Sequence, residues 1–268
     1  MNCVNYELYI LLIISILPVY LVGLYIYKKD KNKEPKKLLK KLFILGMVSC
    51  VPAAFVEILL GKPFGSEELM STWTLFIYVL LTIAFVEELF KWLIVYLLSY
   101  NHDAFDEQYD VIVYAVFVSL GFACFENIFY VLDSGISVAL LRAFTAIPGH
   151  AADAVLMGYY FGLAKLAGIN NNKKLCRKNL FLSIIVPTVV HAIYDFCLFS
   201  RLTIFLIFFA IFLISVYIYC IKKIKRVANN TTNLYHNDII VLNNNSYCPK
   251  CGSPYDGNYC AYCGAKLK

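Results

Sequence analysis

Apolar residues run along this chain in long blocks separated by short polar pieces. Seven blocks stand out, at about 6–27, 42–61, 72–99, 110–132, 138–164, 179–199 and 201–221. About 20 helical residues cross the hydrocarbon core of a bilayer, and a helix satisfies its own backbone groups there. The pattern therefore predicts an all-α polytopic membrane protein with about seven transmembrane helices. The first block follows "MNCVNYE", which has no basic residue, and no small-residue cleavage site stands out. It reads as a span, not a removable signal. The fifth block is the least apolar, and the turn between the last two is very short.

The polar pieces add orientation. The segment "KKDKNKEPKKLLKK" (28–41) carries eight lysines, and Lys173, Lys174, Arg177, Lys178 and "KKIKR" (222–226) form two further basic clusters. The N-terminus and the loop at 61–72 are poor in basic residues. The positive-inside rule then puts the N-terminus outside and the C-terminus in the cytoplasm. The loop "YNHDAFDEQYD" (100–110) falls inside by parity but has no lysine or arginine to support that placement. The chain is 60% hydrophobic and 16% charged, with a net charge of +6. A soluble domain is nearer half apolar and about a quarter charged. The positive charge sits in the loop clusters, so it speaks for topology and not for nucleic acid.

Against this background the ionisable residues inside spans three to six are anomalous: Glu87, Glu88, Lys91, Glu126, His150, Asp153, His191 and Asp195. Each acid or base at the bilayer centre costs about 2.5–3.5 kcal/mol on insertion scales, so such groups pair or face a wet cavity. Positions three and four apart share a helix face. That spacing links Glu87 and Glu88 to Lys91, His150 to Asp153, and His191 to Asp195. Pro148 precedes His150 by two residues, which predicts a kink or break there. Pro187 removes one ladder hydrogen bond four residues before His191. Broken backbone at this depth is tolerated where it lines a cavity. Two glutamates on one lysine, with Glu126 besides, leave carboxylates in excess, which suits proton chemistry or a metal.

These residues resemble the motifs of the PrsW-type intramembrane proteases. "EELFK" (Glu87–Lys91) matches EExxK, "FACFEN" matches FxxxE through Phe122 and Glu126, and "PGHAAD" and "HAIYD" match the later histidine motifs. The resemblance covers about residues 70–200, with the motifs in order on successive spans. The wider group includes the type II CAAX prenyl endopeptidases, which carry His where this chain has Glu126. That departure favours the PrsW branch. The resemblance implies peptide-bond hydrolysis within the membrane, with a membrane-anchored protein such as an anti-sigma factor as substrate.

The expected chemistry has Glu87 or Glu88 as the general base that activates a water. Lys91 keeps its neighbour ionised, and His150 and His191 orient the water and stabilise the oxyanion. Glu126, with Asn127 beside it, positions the water or the scissile carbonyl, and Asp195 orients His191. A metal held by His150, His191 and Glu126 is the alternative; the sequence does not choose. A non-catalytic immunity or scaffold protein of the same fold, and a proton-coupled transporter, are the competing functions. Arg142, about two turns before His150, is a candidate to hold a substrate carbonyl or carboxylate, with an ordinary interface arginine the favoured reading; Glu57 and Asp133 read as incidental. Gly158 and Gly162 form a small-xxx-small spacing for close helix packing.

The remaining signal lies at the C-terminus. Cys248, Cys251, Cys260 and Cys263 form two C-x2-C knuckles, each followed by Gly. Four thiolates so spaced suit a structural Zn2+, which supplies much of the folding energy of so small a unit. The expected organisation is a membrane domain over 1–226, a flexible Asn-rich linker at 227–246, and a cytoplasmic zinc ribbon at 247–268. The ribbon is expected to meet a cytoplasmic protein partner.

Overall fold

The computed structural model describes residues 2–230 and Leu234. The four ribbon cysteines and most of the linker lie outside the described residues. Among the described residues there are eight α-helices: α1 (Asn2–Lys29), α2 (Lys36–Gly61), α3 (Thr72–Tyr78), α4 (Phe85–Ser99), α5 (Asp110–Phe144), α6 (Ala146–Ile169), α7 (Lys173–Phe199) and α8 (Thr203–Asn230). No strand occurs among the described residues. The expected linker begins later than predicted, because 227–230 complete the last turn of α8.

Among the described residues, six stretches are long and apolar enough to cross a membrane, one of them the 60-residue Asp110–Ile169. That stretch is a hairpin of two helices. Ser119 Oγ donates to the His150 carbonyl and Arg142 Nε to Asn127 Oδ1, while Gly158 meets Ile112. These antiparallel pairs centre on Gly135, whose φ of 79° breaks the helix. Glycine takes that conformation without the clash a Cβ would bring. A second break falls at Thr145 (φ −114°, ψ −64°), three residues before the Pro148 where the sequence predicted it. Pro148 sits in the first turn of α6, where a missing N–H leaves no helical bond unmade.

The third rod joins α3 to α4 through a π-helical turn, Val79–Ala84. Such a turn shifts the register of the helix beyond it, and Glu87 comes three residues after its end. Buried apolar side chains concentrate on α5 and α6, so this hairpin is the centre and the other rods pack around it. The expected close approach is present: a Cβ on Gly158 would lie 2.6 Å from Ile112 Cα. Isoleucine, leucine and phenylalanine side chains cover the outer faces of α1, α2 and α8, as lipid contact requires.

The loop 100–109 shares one end of the bundle with the basic clusters. Lys31 Nζ reaches the Asn229 carbonyl at 3.2 Å, and the Tyr109 hydroxyl reaches the Ile26 carbonyl at 3.1 Å. Lys165 donates to the Tyr100 carbonyl at 2.7 Å and lies over the Tyr100 and Phe105 rings. The loop thus acquires from α6 the cation that its own sequence lacks.

Candidate active site

Four helices bring the motif residues together. In the first two turns of α4, Glu87, Glu88 and Lys91 point inward, because a helix places residues three and four apart on one face. Lys91 Nζ donates to Glu88 Oε1 at 2.8 Å, to Glu87 Oε2 at 3.0 Å and to His150 Nδ1 at 3.1 Å. An ammonium has three N–H donors, so all three are used. The same Nζ lies 4.3 Å above the centre of the Phe122 ring. The aromatic residue of the second motif thereby holds the lysine of the first.

That geometry fixes a tautomer. His150 Nδ1 accepts from Lys91, so the ring proton sits on Nε2. Nε2 then donates to Glu126 Oε2 at 2.8 Å. The other Glu126 oxygen forms a 3.1 Å ion pair with Arg142 Nη2. Arg142 Nε donates to Asn127 Oδ1 at 2.9 Å, and Asn127 Nδ2 reaches the Ser15 carbonyl on α1 at 3.5 Å. Arg142 is therefore part of the cluster, not an interface residue. It arrives there because the reversal at Gly135 folds the second half of α5 back along the first.

From α7, His191 Nδ1 lies 3.0 Å from Glu88 Oε1 and Nε2 lies 3.3 Å from Asp195 Oδ2. The expected His191–Asp195 pair is thus present. The expected His150–Asp153 pair is not. His150 spends both ring nitrogens on Lys91 and Glu126, and Asp153 Oδ2 instead lies 4.0 Å from His191 Nδ1. The two imidazoles stand nearly perpendicular, with centres 5.2 Å apart.

A cavity of about 1050 Å3 opens beside these groups. Glu87, Glu126, Arg142, His150, His191 and Asp195 reach it, and Phe125, Phe129 and Leu198 supply apolar wall. Gly61, Gly65 and Ser134 also line it, so it extends to the bundle end formed by the α2–α3 loop and the Gly135 reversal. Glu57 of α2, read from sequence as incidental, lines it too. Spacing within one helix could not reveal either Glu57 or Arg142, since each joins from a different segment. The convergence of these groups on one chamber leaves a proton relay without its string of separate sites.

Glu87 and Glu88 differ in position. Glu87 lines the cavity, whereas Glu88 is 0% exposed and is not part of its wall. Glu88 Oε2 and Asp153 Oδ1 are buried with no hydrogen-bond partner.

Oxygen or nitrogen atoms of Glu87, Glu88, His150 and His191 lie within 4.8 Å of one another. Two imidazoles and two carboxylates are a suitable donor set for zinc, and the orphaned Glu88 oxygen adds a free ligand atom. The set fits a metal ion, provided that Lys91 gives up its hydrogen bonds. Glu126 is outside this group and meets only the far nitrogen of His150, so the donor set differs from the one expected from sequence.

Comparison with known proteins gives the same picture. The family described as PrsW family intramembrane metalloprotease matches residues 34–220. "Protease PrsW" of Oceanobacillus iheyensis is 39% identical over 219 residues, covering 81% of this chain and 95% of the relative. The protein of that name from Bacillus subtilis is 35% identical over 203 residues, 75% of this chain and 88% of its own length. The one from Clostridioides difficile is 31% identical over 235 residues, 85% and 96% respectively. No solved structure matches.

Proposed function

This chain belongs to the PrsW family of intramembrane proteases, and we propose that it cleaves its membrane-anchored substrate with Glu87 as the base that activates water. The observation that carries this assignment is the division between the two glutamates: Glu87 faces the cavity, and Glu88 is sealed behind Lys91 and His191.

In the reaction, a water held between Glu87 and the His150–Glu126 pair attacks the scissile carbonyl carbon. Glu87 takes the water proton as the new C–O bond forms. The carbonyl oxygen becomes an oxyanion, and donors along the wall receive it. Arg142 lines the cavity with its Nη2 held 3.1 Å from Glu126 Oε1, and its guanidinium is suited to that carbonyl. Collapse of the intermediate breaks the C–N bond, and the proton held by Glu87 passes to the leaving nitrogen. Glu88 and Asp195 act as positioning residues that hold His191 from both ring nitrogens. Glu87 Oε2, 3.9 Å from Nε2, and Asp153 Oδ2, 4.0 Å from Nδ1, add two further carboxylates near that ring. When bound at Glu87, Glu88, His150 and His191, a metal ion supplies Lewis-acid polarisation of the carbonyl or of the water.

The cavity volume suits an extended peptide segment. The substrate we favour is a single-span protein such as an anti-sigma factor, the class implied by the motif resemblance. The lysine-rich ends of α1 and α8 support an N-terminus outside and a C-terminus in the cytoplasm. The C-x2-C pairs of the tail support a zinc ribbon there that docks a cytoplasmic protein.

The test is cleavage of a single-span substrate in proteoliposomes. Glu87→Gln should lower kcat by about 10²–10⁴-fold, the usual contribution of general acid–base catalysis. Glu88→Gln should lower kcat with KM unchanged and move the pH profile, since it acts through His191. A Glu87→Gln enzyme that cuts at the wild-type rate defeats the base assignment.

A further inference from the structure

The end of the bundle opposite the cavity mouth holds a second group of acids. Asp30 and Glu34 come from the α1–α2 loop, Glu107 from the α4–α5 loop and Asp110 from the first residue of α5. All four are at most 5% exposed. Oxygens of Asp30, Glu107 and Asp110 lie within 4.8 Å of one another.

Hydrogen bonds account for only part of this cluster. Asn32 Nδ2 donates to Glu107 Oε1, and the Tyr114 hydroxyl donates to Glu34 Oε2. Asp110 Oδ2 accepts from the backbone N–H groups of Asp106 at 3.0 Å and Glu107 at 2.6 Å. Both oxygens of Asp30, Oε2 of Glu107 and Oδ1 of Asp110 remain buried without a partner. The N–H groups of Asn32 and Glu34 lie near Asp30, but neither reaches hydrogen-bond geometry with its carboxylate. Among the described residues none of the four acids forms an ion pair. Lys33 gives its hydrogen bonds to the Tyr27 and Asp30 backbone carbonyls instead.

Four buried carboxylate oxygens without a donor, with Lys33 the one cation acting on Asp30 among its main influences, are stabilised by taking up protons or a cation. We propose that Asp30, Glu107 and Asp110, with Glu34 beside them, form a site for a hard divalent cation, Ca2+ or Mg2+. Oxygen-only donors, several of them charged, are what such ions take. The group contains no imidazole or thiol that would favour zinc. A bound ion would tie the α1–α2 loop to the α4–α5 loop and to the start of α5. Burial raises the Asp30 carboxyl above its usual range and pushes that of Glu34 up to about 7; a dication at this place would oppose both shifts.

The experiment uses the full chain in detergent, stripped with EDTA and titrated with CaCl2 or MgCl2 at neutral pH. One of the two ions should raise Tm by roughly 5 °C at saturation. Asp30→Asn and Glu107→Gln should each move the titration midpoint up by about tenfold or more, since affinity follows ligand charge. Glu87→Gln, whose carboxylate belongs to the other cluster, should keep the shift. Absence of a shift with both ions overturns the proposal, as does a shift that survives both loop variants or disappears in Glu87→Gln. Should the loop variants fail to fold, Tb3+ luminescence of the wild-type chain decides. Sensitised emission that Ca2+ quenches by displacement in the Glu87→Gln background supports the site, and no such emission overturns it.

Discussion

Replacing Lys91 with methionine keeps the length of the side chain and removes the ammonium shared by Glu87, Glu88 and His150. At an effective dielectric of about 20, a carboxylate about 3 Å from an ammonium is held by roughly 5–6 kcal/mol. Desolvation of the buried ions returns several kcal/mol each, so the net value of the intact cluster is small. Truncating the cation alone is different, because two carboxylates, one of them sealed from the cavity, then face each other without the ammonium between them. Removing one partner of a buried pair costs about 3–5 kcal/mol. For a chain of this size that lowers Tm by roughly 6–20 °C. The assay is thermal unfolding of Lys91→Met, Glu88→Gln and the double variant. The double variant should be more stable than the sum of the single effects predicts, by about 1–3 kcal/mol, since it removes one of the carboxylates left unpaired. A Lys91→Met protein within about 1 kcal/mol of wild type, with effects that simply add, would refute the shared-ammonium account.

Arg142→Gln should reduce kcat/KM by about 10–100-fold, the worth of a hydrogen bond to a charged group, and peptide-hydrolysis kinetics check it. Gly158→Leu drives a side chain into Ile112 of α5; overpacking of about 1–3 kcal/mol should appear as a lower Tm. In EDTA, stability should fall as pH rises from about 4.5 to 7. The folded Glu34 keeps its proton up to about 7 while the unfolded carboxyl loses it near the ordinary value, so the unfolded state binds fewer protons in that window. Glu34→Gln should flatten the Tm–pH profile, and a flat wild-type profile speaks against the assignment. A chain ending at Leu234, free of the four tail cysteines, should lose cleavage on thorough chelation and regain it with Zn2+; activity that survives removes the metal from the site.

The spans and the local pairs were legible from sequence. Glu87 with Lys91 and His191 with Asp195 needed only helix geometry, which is fixed once a segment is helical. The pairing of His150 was not legible. Its partner Glu126 lies 24 residues away, across a reversal that only Gly135 marks. The partners of Arg142, Glu126 and Asn127, were hidden for the same reason, and Glu57 was missed because α2 bears none of the motifs. The break at Thr145 was placed three residues late, since proline signals a helix start as readily as a kink. The acids at the other end come from two loops far apart in sequence and from the start of α5, and no periodicity connects loops.

Sequence by itself determined that the chain lies in lipid as helices and that acids, a lysine and imidazoles lie inside successive spans. Lipid leaves the backbone one way to satisfy itself within a single segment, so length and polarity suffice for that. Tertiary structure alone decided which of two neighbouring glutamates meets the cavity and which is sealed away. Consecutive residues differ by about 100° around a helix axis, and the direction that holds water is set by the helices packed against it.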